Sequence, residues 1–172
     1  YIETNNRITF FFFFFAELFP RARFIQVVRD PVAFVESGLA RGWYTGGSFH
    51  DQGRIVPLSG KAKKEWPGYS RAEKIAWLWN ETNSFIESFR KQYEARLLTV
   101  KAEDMFTDID VFSRIFRFLG LTTLSGSWLQ RRVNKPVNEQ KKKASVQSNA
   151  DLTAGIRRLT PLRSVYGYNA AG

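Results

Sequence analysis

The residues best suited to chemistry lie in one short stretch, Arg29-Asp30-Pro31, with Ser37 eight positions after the arginine. The preceding run, Arg23-Phe24-Ile25-Gln26-Val27-Val28, is β-branched and aromatic, so Arg29 stands where a buried strand opens into a turn. Asp30 can cap, and Pro31 can start, a helix over 32–41 that closes at Gly42. Helix N-termini beyond the carboxyl ends of parallel strands offer backbone N–H groups to an anion, and an arginine fork there suits phosphate. Ser37 reaches the same anion only if the ligand lies along the helix face. The competing reading pairs Arg29 with a carboxylate and leaves Ser37 to solvent.

Composition narrows the remaining chemistry. The 172 residues contain no cysteine, which removes disulfides, thiolate metal sites, iron–sulfur clusters and thiol nucleophiles. The single histidine, His50, excludes multi-histidine metal centres and leaves any Ser-His-Asp arrangement one possible base. Catalysis must then run on carboxylates, Lys, Arg, Tyr or hydroxyls, and no metal is expected. The net charge of +10 favours anionic partners. Most of it is local: residues 131–172 carry nine basic side chains against Glu139 and Asp151, and the body is nearly balanced.

These residues need a scaffold. The run Phe10 to Phe15 is too short for a membrane span, which needs about 20 apolar residues, and with Ala16-Glu17-Leu18-Phe19 it reads as a buried helix stopped by Pro20. Tyr1-Ile2-Glu3 reads as a strand. Residues 43–70, rich in Gly and Pro, read as a long loop. Apolar positions from Ile75 to Tyr93 mark a helix over 71–96, and Leu97-Leu98-Thr99-Val100 a second strand. Thr107 and Asp110 suggest a capping box before a helix that Gly120 ends. Strands alternating with helices indicate an α/β fold with a parallel sheet. The expected organisation is one α/β domain over 1–130, with 131–172 as its basic lid or tail.

Taken with Leu18-Phe19-Pro20-Arg21-Ala22-Arg23, the Arg29-to-Ser37 stretch resembles the 3′-phosphate-binding strand and helix of sulfotransferases that use 3′-phosphoadenosine 5′-phosphosulfate (PAPS). Ile2-Glu3-Thr4-Asn5-Asn6-Arg7 is similar to a strand end that reads Glu-Lys-Thr-Pro-Arg in many members. Arg41-Gly42-Trp43-Tyr44, Leu98-Thr99-Val100-Lys101-Ala102-Glu103-Asp104 and Phe118-Leu119-Gly120-Leu121 follow in the family's order. The resemblance spans about residues 1–121.

It implies a P-loop-like three-layer fold with a central parallel sheet, incomplete at its N-terminus. The family's Gly-rich phosphosulfate loop is expected before Tyr1, and Gly42 to Ser48 lacks the lysine to replace it. The resemblance implies that Arg29 and Ser37 bind the donor's 3′-phosphate and that Arg131 and Arg132, in the basic segment 131–143, close over the nucleotide. A solvated tail is the alternative for that segment. Glu3 takes the position of the base that deprotonates the acceptor hydroxyl or amine; a strand-end pairing with Arg7 is the other reading. Trp43 and Tyr44 are candidates to line the acceptor pocket. The other tryptophans read as packing residues. The expected partner is a small-molecule, lipid or glycan acceptor, with no nucleic acid, no membrane span and a cytoplasmic location. A polyanion or nucleic-acid binder driven by the basic segment is the alternative function.

Overall fold

The structure is a computed structural model, and it describes residues 1–47, 51–122, 126–128 and 150–168. It is mostly helical with a two-stranded parallel sheet, a mixed α/β arrangement. The elements are α1 (Phe12–Leu18), β1 (Phe24–Val28), α2 (Pro31–Ala40), α3 (Gly60–Glu65), α4 (Arg71–Tyr93), β2 (Leu97–Lys101), α5 (Asp104–Thr107), α6 (Asp110–Leu119) and α7 (Ala150–Leu159). Among described residues the chain forms two compact units. One contains 1–7, 30–47, 51–85 and 150–168, and the other 8–29, 86–122 and 126–128. Helix α4 contributes its first part to one and its last to the other.

In the unit containing the sheet, β1 and β2 pair from Phe24 opposite Leu97 to Val28 opposite Lys101. Parallel pairing requires a long crossover, supplied by residues 29–96. Alternation buries Phe24, Gln26 and Val28 but leaves Val27 54% exposed, so β1, expected as a buried strand, is covered on one face. Gln26 is satisfied in its buried position: its Oε1 accepts from Thr99 Oγ1 at 2.7 Å and from Arg90 Nη2 at 3.2 Å, and Glu87 holds Arg90 at 3.0 Å. Phe12, Phe24 and Phe89 form the aromatic centre, with ring centroids 4.9–5.5 Å apart.

The phenylalanine run forms a 3-10 turn over Asn6–Phe11 and then α1. Within α1 only Phe12 and Ala16 are buried, while Phe11, Phe14, Leu18 and Phe19 are more than half exposed. The expected buried helix is thus buried along one stripe only, because a lone helix has a single face to give to a core. Arg96 closes its end by donating to the carbonyls of Ala16, Phe19 and Ala22 at 2.8–3.1 Å. Residues 1–5 form no strand among the described residues.

In the other unit, Val32 and Val35 of α2, Trp43, Ala72, Ile75, Ala76 and Leu78 of α4, and Ile156 of α7 form the core. Helix α4 opens with a reciprocal capping box. Ser70 Oγ accepts the Glu73 N–H at 3.2 Å, and Glu73 accepts the Ser70 N–H at 2.9 Å. The expected box at Thr107 and Asp110 does not form: Thr107 lies in α5 and donates to Glu103 O, and Asp108 accepts the Asp110 N–H at 2.9 Å instead. Gly120 ends α6 with φ 72°, as its type suggests. The long-loop expectation for 43–70 misses α3 and the 3-10 turn Trp66–Gly68. Helix α7 belongs to the core of the unit containing α2, with Ile156 fully buried, where the sequence suggests a lid or tail.

Candidate functional site

Arg29 follows Val28 directly, so its backbone leaves the carboxyl end of β1, and it is exposed. Lys101, opposite Val28, brings a second cation to the same sheet end, and the Ala102 N–H to Val28 O bond of 2.7 Å extends the pairing past it. Two cations at the carboxyl end of parallel strands suit an anionic ligand.

The helix opening is built as its residue types imply. Asp30 Oδ1 accepts the Ala33 N–H at 2.9 Å and Pro31 takes the first helical position. Ser37, half-buried on α2, belongs to the unit containing α2, and Arg29 to the unit containing the sheet. Arg41, one turn on from Ser37, donates to the Ser37 hydroxyl and, at 3.1 Å, to its carbonyl. The Ser37 hydroxyl therefore already has a guanidinium beside it, one that spacing did not single out.

The turn after α2 is tightly held. Trp43 N donates to Gly38 O at 3.0 Å, and Arg71 at the start of α4 donates to the carbonyls of Trp43 and Leu39 at 3.1 and 3.2 Å. Tyr44 adopts φ 58°, a left-handed conformation that costs a non-glycine residue about 1–2 kcal/mol. Asp51 fixes it by accepting the Tyr44 N–H, the Gly46 N–H at 2.9 Å and the Thr45 hydroxyl at 3.4 Å. Burial alone would push the Asp51 carboxyl up, and these donors outweigh it and hold it below the usual carboxylate range. Burial pushes the Tyr44 hydroxyl up, with Arg54 opposing; that hydroxyl donates to Ile55 O at 2.7 Å.

Trp43 is 8% exposed and packs in the core, against Phe34 at 5.4 Å. Its outer face carries the Arg54 guanidinium, 3.5 Å from the ring centroid. Burial lowers the Arg54 pKa, and the charges of Arg7 and Arg41 act in the same direction. Arg54 thus lies in the field of Arg7 and Arg41, all three in one unit. Arg54 sits in a non-periodic loop, so only its proximity to Trp43-Tyr44 in a Gly-flanked turn could have suggested it.

Glu3 is exposed and its Oε2 accepts the Tyr1 hydroxyl at 2.6 Å. Arg131 and Arg132 lie outside the described residues. A shallow hollow over α7, lined by Thr153, Arg157, Arg158 and Arg163, holds none of the expected site residues, and Arg158 there pairs with Glu73 at 3.0 Å. Among the described residues no cluster of acidic, His or Cys side chains is arranged to hold a metal, and no helix is long and apolar enough to cross a membrane. Comparison with known proteins finds no family model, no curated protein and no solved structure that matches this chain.

Proposed function

We propose that this chain belongs to a sulfotransferase that moves a sulfo group from PAPS to a hydroxyl or amine of a small-molecule, lipid or glycan acceptor, on a P-loop-like three-layer fold. The observation that carries the reading is Arg29 directly beyond the carboxyl end of a parallel strand, at the opening of a helix capped by Asp30 and started by Pro31. In this reading Arg29 and Ser37 bind the 3′-phosphate of the donor, and Glu3 removes the acceptor proton as the sulfo group transfers. The bond between sulfur and the bridging phosphate oxygen breaks as the acceptor oxygen or nitrogen bonds to sulfur. The leaving nucleotide departs as adenosine 3′,5′-bisphosphate, its charge balanced by nearby cations.

In this reading the 3′-phosphate is the group that Arg29 and Ser37 hold. Adenosine 3′,5′-bisphosphate is therefore expected to raise the melting temperature, adenosine 5′-monophosphate is not, and Arg29→Ala is expected to remove the rise. A melting temperature indifferent to the bisphosphate overturns the reading.

A further inference from the structure

Two buried donors lack an acceptor among the described residues: the Trp43 indole Nε1 and the Arg54 Nε. They belong to the same stack, with the Arg54 guanidinium 3.5 Å from the Trp43 ring centroid. Buried polar groups in native proteins almost always have partners, so two orphans in one stack point to an acceptor that the described residues do not supply. The surrounding charge agrees. Arg54 feels the cations of Arg7 and Arg41, and Asp51, a carboxylate that acts on it, is engaged by the amides of Tyr44 and Gly46 and the hydroxyl of Thr45. The setting is also pre-shaped. The ring holds the guanidinium plane, the left-handed Tyr44 and the Asp51 clamp fix the turn, and Arg41 on Ser37 sets a second fork on the neighbouring helix end. Stacking occupies the face of a guanidinium and leaves its edge to bind a planar or tetrahedral oxyanion by two parallel hydrogen bonds.

We propose that the Arg54–Trp43 stack, flanked by Arg41 and Arg7, binds an oxyanion group of the acceptor: a sulfate, phosphate or carboxylate. The assignment to the acceptor rests on the sulfo-transfer reading, in which Arg29 serves the donor; the oxyanion site itself does not. An acceptor that already bears an anionic group, such as an acidic or sulfated sugar, would be held by that group while its free hydroxyl or amine is presented for transfer.

Arginine Nε–Hε and tryptophan indole resonances read this directly. Sodium sulfate is titrated into the intact protein at constant ionic strength, balanced with sodium chloride, with sodium acetate as a parallel arm for the carboxylate case. One arginine resonance, absent in Arg54→Gln, and one indole resonance, absent in Trp43→Phe, are expected to move together and saturate. Arg7→Gln, at an exposed position, is expected to weaken the binding roughly two- to fivefold. Shifts that rise linearly and equally in chloride overturn the proposal, as does a saturating shift of unchanged affinity in Arg7→Gln and Arg54→Gln. Circular dichroism checks that Arg54→Gln is folded, and Arg7→Gln keeps the test decisive if it is not. Saturating adenosine 3′,5′-bisphosphate is expected to leave the sulfate affinity unchanged. Competition between them assigns the site to the donor and overturns the acceptor assignment. Sulfate saturation in a protein that ignores the bisphosphate upholds the oxyanion site and counts against the transfer reading alone.

Discussion

Two single residues determine the turn that carries Trp43 and Tyr44. Gly38 is one: a Cβ there would sit 2.6 Å from Trp43 Cε3 and 3.0 Å from an Ile75 methyl, both in a packed core. Gly38→Ala is expected to cost about 1–3 kcal/mol, the usual range for overpacking, and to move the Trp43 ring, visible as a change in near-ultraviolet circular dichroism. Equal stability for the alanine protein would show that the ring has room to retreat. Asp51 is the other. Its folded pKa is depressed, so its contribution is fully present above the unfolded carboxylate value of about 3.9 and is lost as pH falls through the lower folded value. Asp51→Asn is therefore expected to lower the melting temperature at neutral pH, with the gap to the unmodified protein closing as the solution is acidified below about pH 4. A gap that is constant with pH would mean the carboxylate charge does not hold the turn. Site legibility at this scale divides sharply. The helix opening at Asp30 and Pro31 was legible from type and spacing because capping acts through local chain geometry. Arg41 and Arg54 were not, because they matter through what folding brings beside them.

At the scale of elements, hydrophobic periodicity located β1, α2, α4 and β2 closely, because each presents a continuous apolar face to a core. Helix α3, GKAKKE, buries nothing and has no such face, so its place inside a Gly- and Pro-rich stretch left no periodic trace. Capping chemistry divides in the same way. Ser70 and Glu73 form a true capping box because α4 begins between them, whereas Thr107 and Asp110 have the right types at the right spacing but α5 ends at Thr107. Two substitutions test the difference. Ser70→Ala is expected to destabilise the protein by roughly 0.5–2 kcal/mol in urea unfolding, the range for a lost N-cap. Thr107→Ala, which removes only a local bond to Glu103 O, is expected to fall within about 0.5 kcal/mol of the unmodified protein. The reverse ranking would reassign the cap.

For the whole molecule, the charge of +10 invites the view that the C-terminal residues are an appendage for polyanions, separable from the fold. Helix α7 argues against separability. Ile156 is fully buried in the core formed by Val32, Val35, Ile75 and Ala76, Thr160 is buried and donates to Ile156 O, and Asn80 on α4 accepts the Leu162 N–H at 3.2 Å. Arg158 is tied to Glu73, and Arg163 donates to the carbonyls of Arg157 and Thr160, so part of the local basic charge serves to hold the chain and not to meet a ligand. Deleting residues 131–172 would therefore remove core as well as charge, and a loss of polyanion binding after deletion would report on folding first. Ile156→Ala separates the two, because it leaves every charge in place. It is expected to cost about 2–5 kcal/mol, as large-to-small changes at buried aliphatic positions do, and to lower the denaturation midpoint at unchanged net charge. A midpoint that stays put would return α7 to the status of a tail, and with it the polyanion reading of the basic segment.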